Sequence, residues 1–176
     1  MIEPHGGYLV DRVIEDKHAE DAKERLSDKP NIRLDYGSYQ DAINISSGRY
    51  SPLTGFLSSN DLLKVANDMT LEDGTVWPLP ITLDIDSDLA AELEPDRKAG
   101  LESPEGELIG FINIDEVYRQ NKEEIATGIF GTDDESHPGV ESYLEMEDFL
   151  VGGPIKLFDE YRYNDRDLLP QESRVL

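Results

Sequence analysis

Cysteine is absent from this 176-residue chain. That excludes both a disulfide framework and a thiolate metal site. It also fits a cytoplasmic protein, the location expected here. No apolar run approaches the roughly 20 residues that a membrane-spanning helix needs. The first ten residues, Met1 to Val10, show no basic stretch followed by an apolar block, so no signal peptide is expected. Bases are scarce: seven lysines and nine arginines stand against 39 acids, for a net charge of -23. A field of that sign repels phosphate backbones and anionic membranes, so neither nucleic acid nor a membrane is expected as a partner.

The acids are spread along the whole chain rather than gathered in a tail. Spread acidity with few lysines suggests a protein that works in high salt, where counterions screen self-repulsion. An ordinary acidic protein is the plainer alternative. Disorder, a third reading of high net charge, is set aside because apolar segments and placed turn residues recur through most of the sequence.

The apolar pattern predicts a first strand from Tyr8-Leu9-Val10 to Val13-Ile14 and a helix over His18 to Leu26, ended by Pro30. Ile32 and Leu34 suggest a short strand, and Tyr39 to Ile45 a helix. Asn60 or Asp61 is placed to cap a further helix that buries Leu62, Leu63, Val65, Ala66 and Met69. Val76 to Ile85 alternates around Pro78 and Pro80, as in an edge or bulged strand. Gly100 to Ile114, with Pro104-Glu105-Gly106 at its centre, reads as a β-hairpin. Asp115 suits the cap of a helix from Glu116 to about Thr127, followed by a loop over Gly128 to Gly139. Phe149 to Leu157 reads as a strand with a glycine bulge. Residues 159 to 169 are charged and irregular, and Pro170 to Leu176 looks like the first turns of a helix. With no regular βαβ alternation and no internal repeat, the fold class is α+β.

Few residues invite a catalytic reading. His137-Pro138-Gly139 follows Asp133 to Ser136, but metal chemistry needs several convergent ligands. His5 and His18 are distant in sequence, so the simpler account is a loop in which His137 hydrogen-bonds backbone. Ser51 lacks a Gly-x-Ser-x-Gly elbow and is followed by Pro52, which favours a turn anchored by Leu53, Phe56 and Leu57. Trp77 is read as core rather than a base-stacking residue. Asp84, Asp86 and Asp88 alternate but lack the glycine and the twelfth-position glutamate of an EF-hand loop, and are read as a solvated strand end. There is no phosphate loop of the Gly-x-x-x-x-Gly-Lys type, and the bases form no cluster along the sequence. No catalytic, cofactor-binding or metal-ligating residue is therefore assigned, and no cofactor is expected.

Five ordered segments carry a family resemblance: Pro4-His5-Gly6-Gly7 with Leu9-Val10; Gly48-Arg49-Tyr50-Ser51-Pro52-Leu53-Thr54-Gly55-Phe56-Leu57; Leu71-Glu72-Asp73-Gly74 leading into Trp77-Pro78-Leu79-Pro80-Ile81-Thr82-Leu83-Asp84; Phe130 to Val140; and Leu150-Val151-Gly152-Gly153-Pro154-Ile155. In order and rough spacing they resemble the amino-terminal, PUA-like domain of ATP sulfurylase (sulfate adenylyltransferase). That family makes adenosine 5'-phosphosulfate and pyrophosphate from ATP and sulfate. The resemblance implies a PUA-like β-pseudobarrel with peripheral helices over residues 1–160, and a linker leading toward a catalytic domain over 161–176. The family's Gln-x-Arg-Asn, His-x-x-His and Gly-Arg-Asp segments do not occur in this sequence, so the chain alone is expected to be inactive. The implied role is a scaffold for a nucleotidyltransferase domain, in the same or a separate chain, and for an oligomer. A free-standing PUA-like binding module is the alternative, and a basic stripe with interleaved aromatics would favour it.

Overall fold

A computed structural model describes residues 3–161. After a 3-10 turn at His5–Gly7, the chain forms β1 (Val13–Ile14), α1 (Asp16–Leu26), β2 (Asn31–Arg33), α2 (Tyr36–Ser46), β3 (Gly55–Phe56) and α3 (Ser59–Asp68). There follow β4 (Asp84–Ile85), α4 (Ser87–Glu92), β5 (Lys98–Glu102), β6 (Leu108–Asn113), β7 (Glu116–Arg119), α5 (Lys122–Phe130), α6 (Pro138–Leu144) and β8 (Phe149–Phe158). The expected helical start at Pro170 to Leu176 lies outside the described residues.

The longest strand, β8, organises the sheet. Its first half pairs antiparallel with β7 on one side, through Val117 opposite Val151, and with β4 on the other, through Asp84 opposite Leu150. In the middle, Gly153 and Pro154 meet β3. The second half pairs antiparallel with β6 and parallel with β1. From β6 the sheet continues through β5 to β2, which runs parallel to β5. One strand that serves five neighbours along its two edges curls the sheet into a pseudobarrel with six helices around it. This is the α+β architecture expected.

Three apolar clusters hold the layers. The largest lies inside the curled sheet and under α2, with Ile32, Ile45, Leu101, Ile112 and Ile155 almost wholly buried. A second joins α3, α5 and α6 through Leu62, Ile125, Val140 and Tyr143, over Leu150 of β8. The third seats α1, through Ala19 and Leu26, on Phe111 and Phe158 of the outer sheet face. Shielding this much apolar surface from water is the main favourable term for the fold.

Several local expectations need correction. Tyr8 to Val10 is extended approach rather than strand, and β1 begins only at Val13. Ser58, not Asn60 or Asp61, caps α3, with its Oγ accepting from the Asp61 amide at 3.1 Å. Asp61 instead reaches out of the first turn and accepts from the Glu72 amide at 2.8 Å. The Glu116–Thr127 helix divides: Glu116–Arg119 is strand β7, and a new helix starts at Lys122 with Asn121 as its cap. That helix then runs through Phe130 into the expected loop, ending at Gly131 with φ 72°. Between Trp77 and Leu83 there is no ladder. Pro78 and Pro80 lack amide hydrogens, and the segment contributes through buried Trp77, Ile81 and Leu83. The hairpin β5–β6 and the long strand over Phe149–Phe158 are as expected.

Candidate functional site

The residues singled out in the sequence are engaged with their own fold. Ser51 is buried, its Oγ donating to the Gly48 carbonyl at 2.6 Å and accepting from the Val10 amide at 3.0 Å. Both capacities of the hydroxyl are thus spent on backbone. His137 caps α6, its Nδ1 accepting from the Gly139 amide at 3.1 Å while the ring leans on Phe130. Trp77 is a core residue whose Nε1 donates to the Leu79 carbonyl, with Tyr50 edge-on to its ring. The alternating acids separate: Asp84 accepts from the Glu147 amide, and Asp86 caps α4 by accepting from Asp88 and Leu89. Among the described residues no three potential metal-ligating side chains converge.

Four of the five segments that carry the resemblance meet at one end of the molecule. The His5 ring hydrogen-bonds the Val76 carbonyl through Nε2 at 2.6 Å and lies beside Trp77. Gly6, at φ 73°, packs so closely on Pro52 that a Cβ there would come within 2.8 Å of its ring. Tyr8 donates to the Pro52 carbonyl at 3.3 Å, and the Ser51-Pro52 peptide is cis. Gly55-Phe56 then pairs with Gly153-Pro154 of β8. The Phe130–Val140 segment stands apart, in the α5–α6 layer.

This end also carries exposed apolar side chains. Thr70 and Val76 bridge an arm on which Met69, Val76 and Leu79 are largely solvent-facing, at 61%, 62% and 46%. Tyr8, beside it through the His5 turn, is 54% exposed. Together they make an apolar face with no partner among the described residues.

The buried tyrosines behind α3 are structural. Tyr118 donates to the Leu57 carbonyl and Tyr143 to Gln120 Oε1, and burial pushes both hydroxyl pKa values up. On the surface, the Asp148 carboxylate is held below its usual pKa, first by the Lys122 ammonium and then by the Arg119 guanidinium. Both contacts are close ion pairs that brace the entry to α5 against the start of β8.

Sequence reasoning missed one feature altogether. Bases that are scattered along the chain gather in a groove between α1 and the outer sheet face, lined by Lys17, His18, Arg25, Lys98 and Lys156. Bases that form no cluster along the sequence thus form one in the fold. The signal was invisible because these residues come from three parts of the chain joined only by the pairing of β5, β6 and β8.

Comparison with known proteins agrees with this architecture. The model of the PUA-like domain family matches residues 2–160. The sulfate adenylyltransferase of Hyperthermus butylicus is 39% identical over 98% of this chain and 45% of its own length. That of Halothermothrix orenii is 36% identical over 99% of this chain and 46% of its own length. Among solved structures, the hexameric APS kinase from Thiobacillus denitrificans matches 89% of this chain and 27% of its own, with a TM-score of 0.67 and 24% identity, which speaks to fold alone. The chain therefore belongs to the PUA-like domain family, and it spans a little under half the length of the sulfate adenylyltransferases that it resembles.

Proposed function

We propose that this chain is the noncatalytic PUA-like domain of a sulfate adenylyltransferase, holding a nucleotidyltransferase domain that carries out adenylyl transfer to sulfate. The observation that carries the reading is similarity across nearly the whole chain to relatives more than twice as long. The exposed arm of Met69, Val76 and Leu79, with Tyr8 beside it, is the face that the partner domain covers. An apolar face of this kind, flanking the segments that carry the family resemblance, suits a permanent intramolecular contact.

The chemistry itself requires charge neutralisation along a triphosphate and a positioned attacking sulfate. None of the engaged side chains described above is arranged to supply that. Purified alone, the chain should release no pyrophosphate from ATP and sulfate. Mixed with the separately produced nucleotidyltransferase portion from the same organism, it should co-elute in size exclusion and raise that portion's thermal stability. Met69→Asp or Val76→Asp should abolish co-elution while leaving the chain's own melt unchanged. Turnover by the isolated chain, or co-elution indifferent to both substitutions, contradicts the proposal.

A further inference from the structure

We propose that the groove between α1 and the outer sheet face is a binding site for a phosphate-bearing small molecule with two or more clustered anionic groups. The inference is independent of what covers the apolar arm.

The register of the sheet builds the groove. Phe111 of β6 stands opposite both Lys156 of β8 and Gly100 of β5. Side chains opposite one another, or two apart on one strand, share a face. Lys98, Phe111 and Lys156 therefore project from the same side. Helix α1 crosses that side and presents His18, Ala22 and Arg25 at helical spacing. Ile14, Leu26 and Phe111 form the apolar floor, and the solvent-open groove has a volume of about 520 Å³, within the range of small-molecule sites.

The charge of the groove opposes that of the molecule. Four permanent cations line it against two carboxylates, Glu15 and Asp21, in a chain of net charge -23. One of the four, Lys17, is paired with Glu15 at 2.5 Å. The other three are the notable ones. Elsewhere bases are committed: Lys23 to Glu160, Lys64 to Asp68, Arg119 and Lys122 to Asp148, Arg12 to the Ile155 carbonyl and Arg33 to that of Pro104. Among the described residues Arg25 and Lys156 have neither an ion pair nor a hydrogen bond. Lys98 has only the Phe111 ring, 4.1 Å below its ammonium. With 39 acids available, leaving three cations unpaired beside one another is unfavourable unless an anion joins them.

The ligand's chemistry follows from that arrangement. Two lysines are strong point-charge donors to phosphate oxygens, and an arginine adds a planar fork. Glu15 and Asp21 at the rim disfavour long polyanions that extend past the groove, so a compact ligand is favoured over a nucleic acid strand.

Isothermal titration of the 176-residue chain with inorganic pyrophosphate, in moderate potassium chloride, tests the assignment. Titrations with ATP and with single-stranded RNA run in parallel, to separate a free polyphosphate from a nucleotide and from a nucleic acid. The expected result is saturable one-to-one binding of pyrophosphate or ATP. Lys98→Gln with Lys156→Gln should weaken it by about tenfold or more, the loss of one to two charge-assisted contacts. Lys64→Gln, which alters a paired base on α3, should leave it unchanged. Thermal melts of all variants should stay close to the parent's, because Lys98 and Lys156 hold no ion pair among the described residues and the exposed Lys64–Asp68 pair contributes little. The proposal is overturned by absent or non-saturating binding, by an equal loss in Lys64→Gln, or by RNA binding more tightly than either phosphate compound.

Discussion

At Ser51 one buried hydroxyl serves two backbone groups, donating to the Gly48 carbonyl and accepting from the Val10 amide. Ser51→Ala would leave a buried amide unsatisfied, at a cost of roughly 1–3 kcal/mol. A fall in the urea midpoint with unchanged m-value is the expected reading. Asp41 behaves in the opposite sense. Burial raises its carboxyl pKa, an effect only partly offset by a hydrogen bond from Tyr50. A carboxyl whose folded pKa lies above its unfolded value costs nothing below the unfolded value, and destabilises progressively as pH rises from the unfolded value through the folded one. Asp41→Asn keeps an acceptor for Tyr50 and removes the ionisation. Its stability at pH 7 should therefore rise above the parent's, and the two should converge in acid. Urea titrations at pH 4 and pH 7 measure the difference. A variant less stable than the parent at pH 7 would contradict the burial argument.

Among the elements, β8 shows how tightly backbones approach in this fold. Gly153 sits at φ 149°, and a Cβ there would lie 2.0 Å from the Asn113 carbonyl oxygen. Gly55 of β3, opposite Pro154, would place its Cβ 1.8 Å from the Gly153 oxygen. Gly153→Ala combines backbone strain with overpacking, and should cost on the order of 2–5 kcal/mol. A circular-dichroism melt lowered by many degrees, or insoluble expression, is the expected outcome. The long last strand was legible in the sequence, as were the β5–β6 hairpin and the apolar faces of α1, α2 and α3. β7 was not. Glu116-Val117-Tyr118-Arg119 lies before a helix-rich run and merges with it by composition. Only pairing of Val117 with Val151 and Tyr118 with Leu150 makes it a strand. Propensity yields to a cross-strand partner that lies thirty-odd residues further on. The basic groove was hidden for the same reason: register, not sequence proximity, brings Lys98 and Lys156 to one face.

For the whole molecule, charge is the dominant long-range term. Most of the ion pairs described above are exposed and contribute little each, Lys122 with Asp148 being the partly buried exception. Unpaired acids meanwhile repel one another across a surface where the Debye length is about 10 Å at 0.1 M salt. The melting temperature should climb markedly between dilute buffer and molar potassium chloride, as screening removes that repulsion. A melt indifferent to salt would remove the case for adaptation to high ionic strength. The net charge was plain from composition, and the seating of bases on one face was not. The candidate docking face was only partly legible: segments beside it carried the resemblance, but the exposure of Met69, Val76 and Leu79 depends on how the arm folds back.

The position of β8 has a consequence for vectorial synthesis. Five of the other seven strands pair with residues 149–158, so a chain leaving the ribosome carries β1, β3, β4, β6 and β7 without their partner for most of its translation. Hairpin β5–β6 and the pairing of β2 with β5 can form early, and little else of the sheet can. Such late closure ordinarily invites association between nascent chains through unpaired strand edges. Here the net charge of -23 is spread along most of the chain, and like-charged chains on one polysome hold each other apart until the last strand arrives.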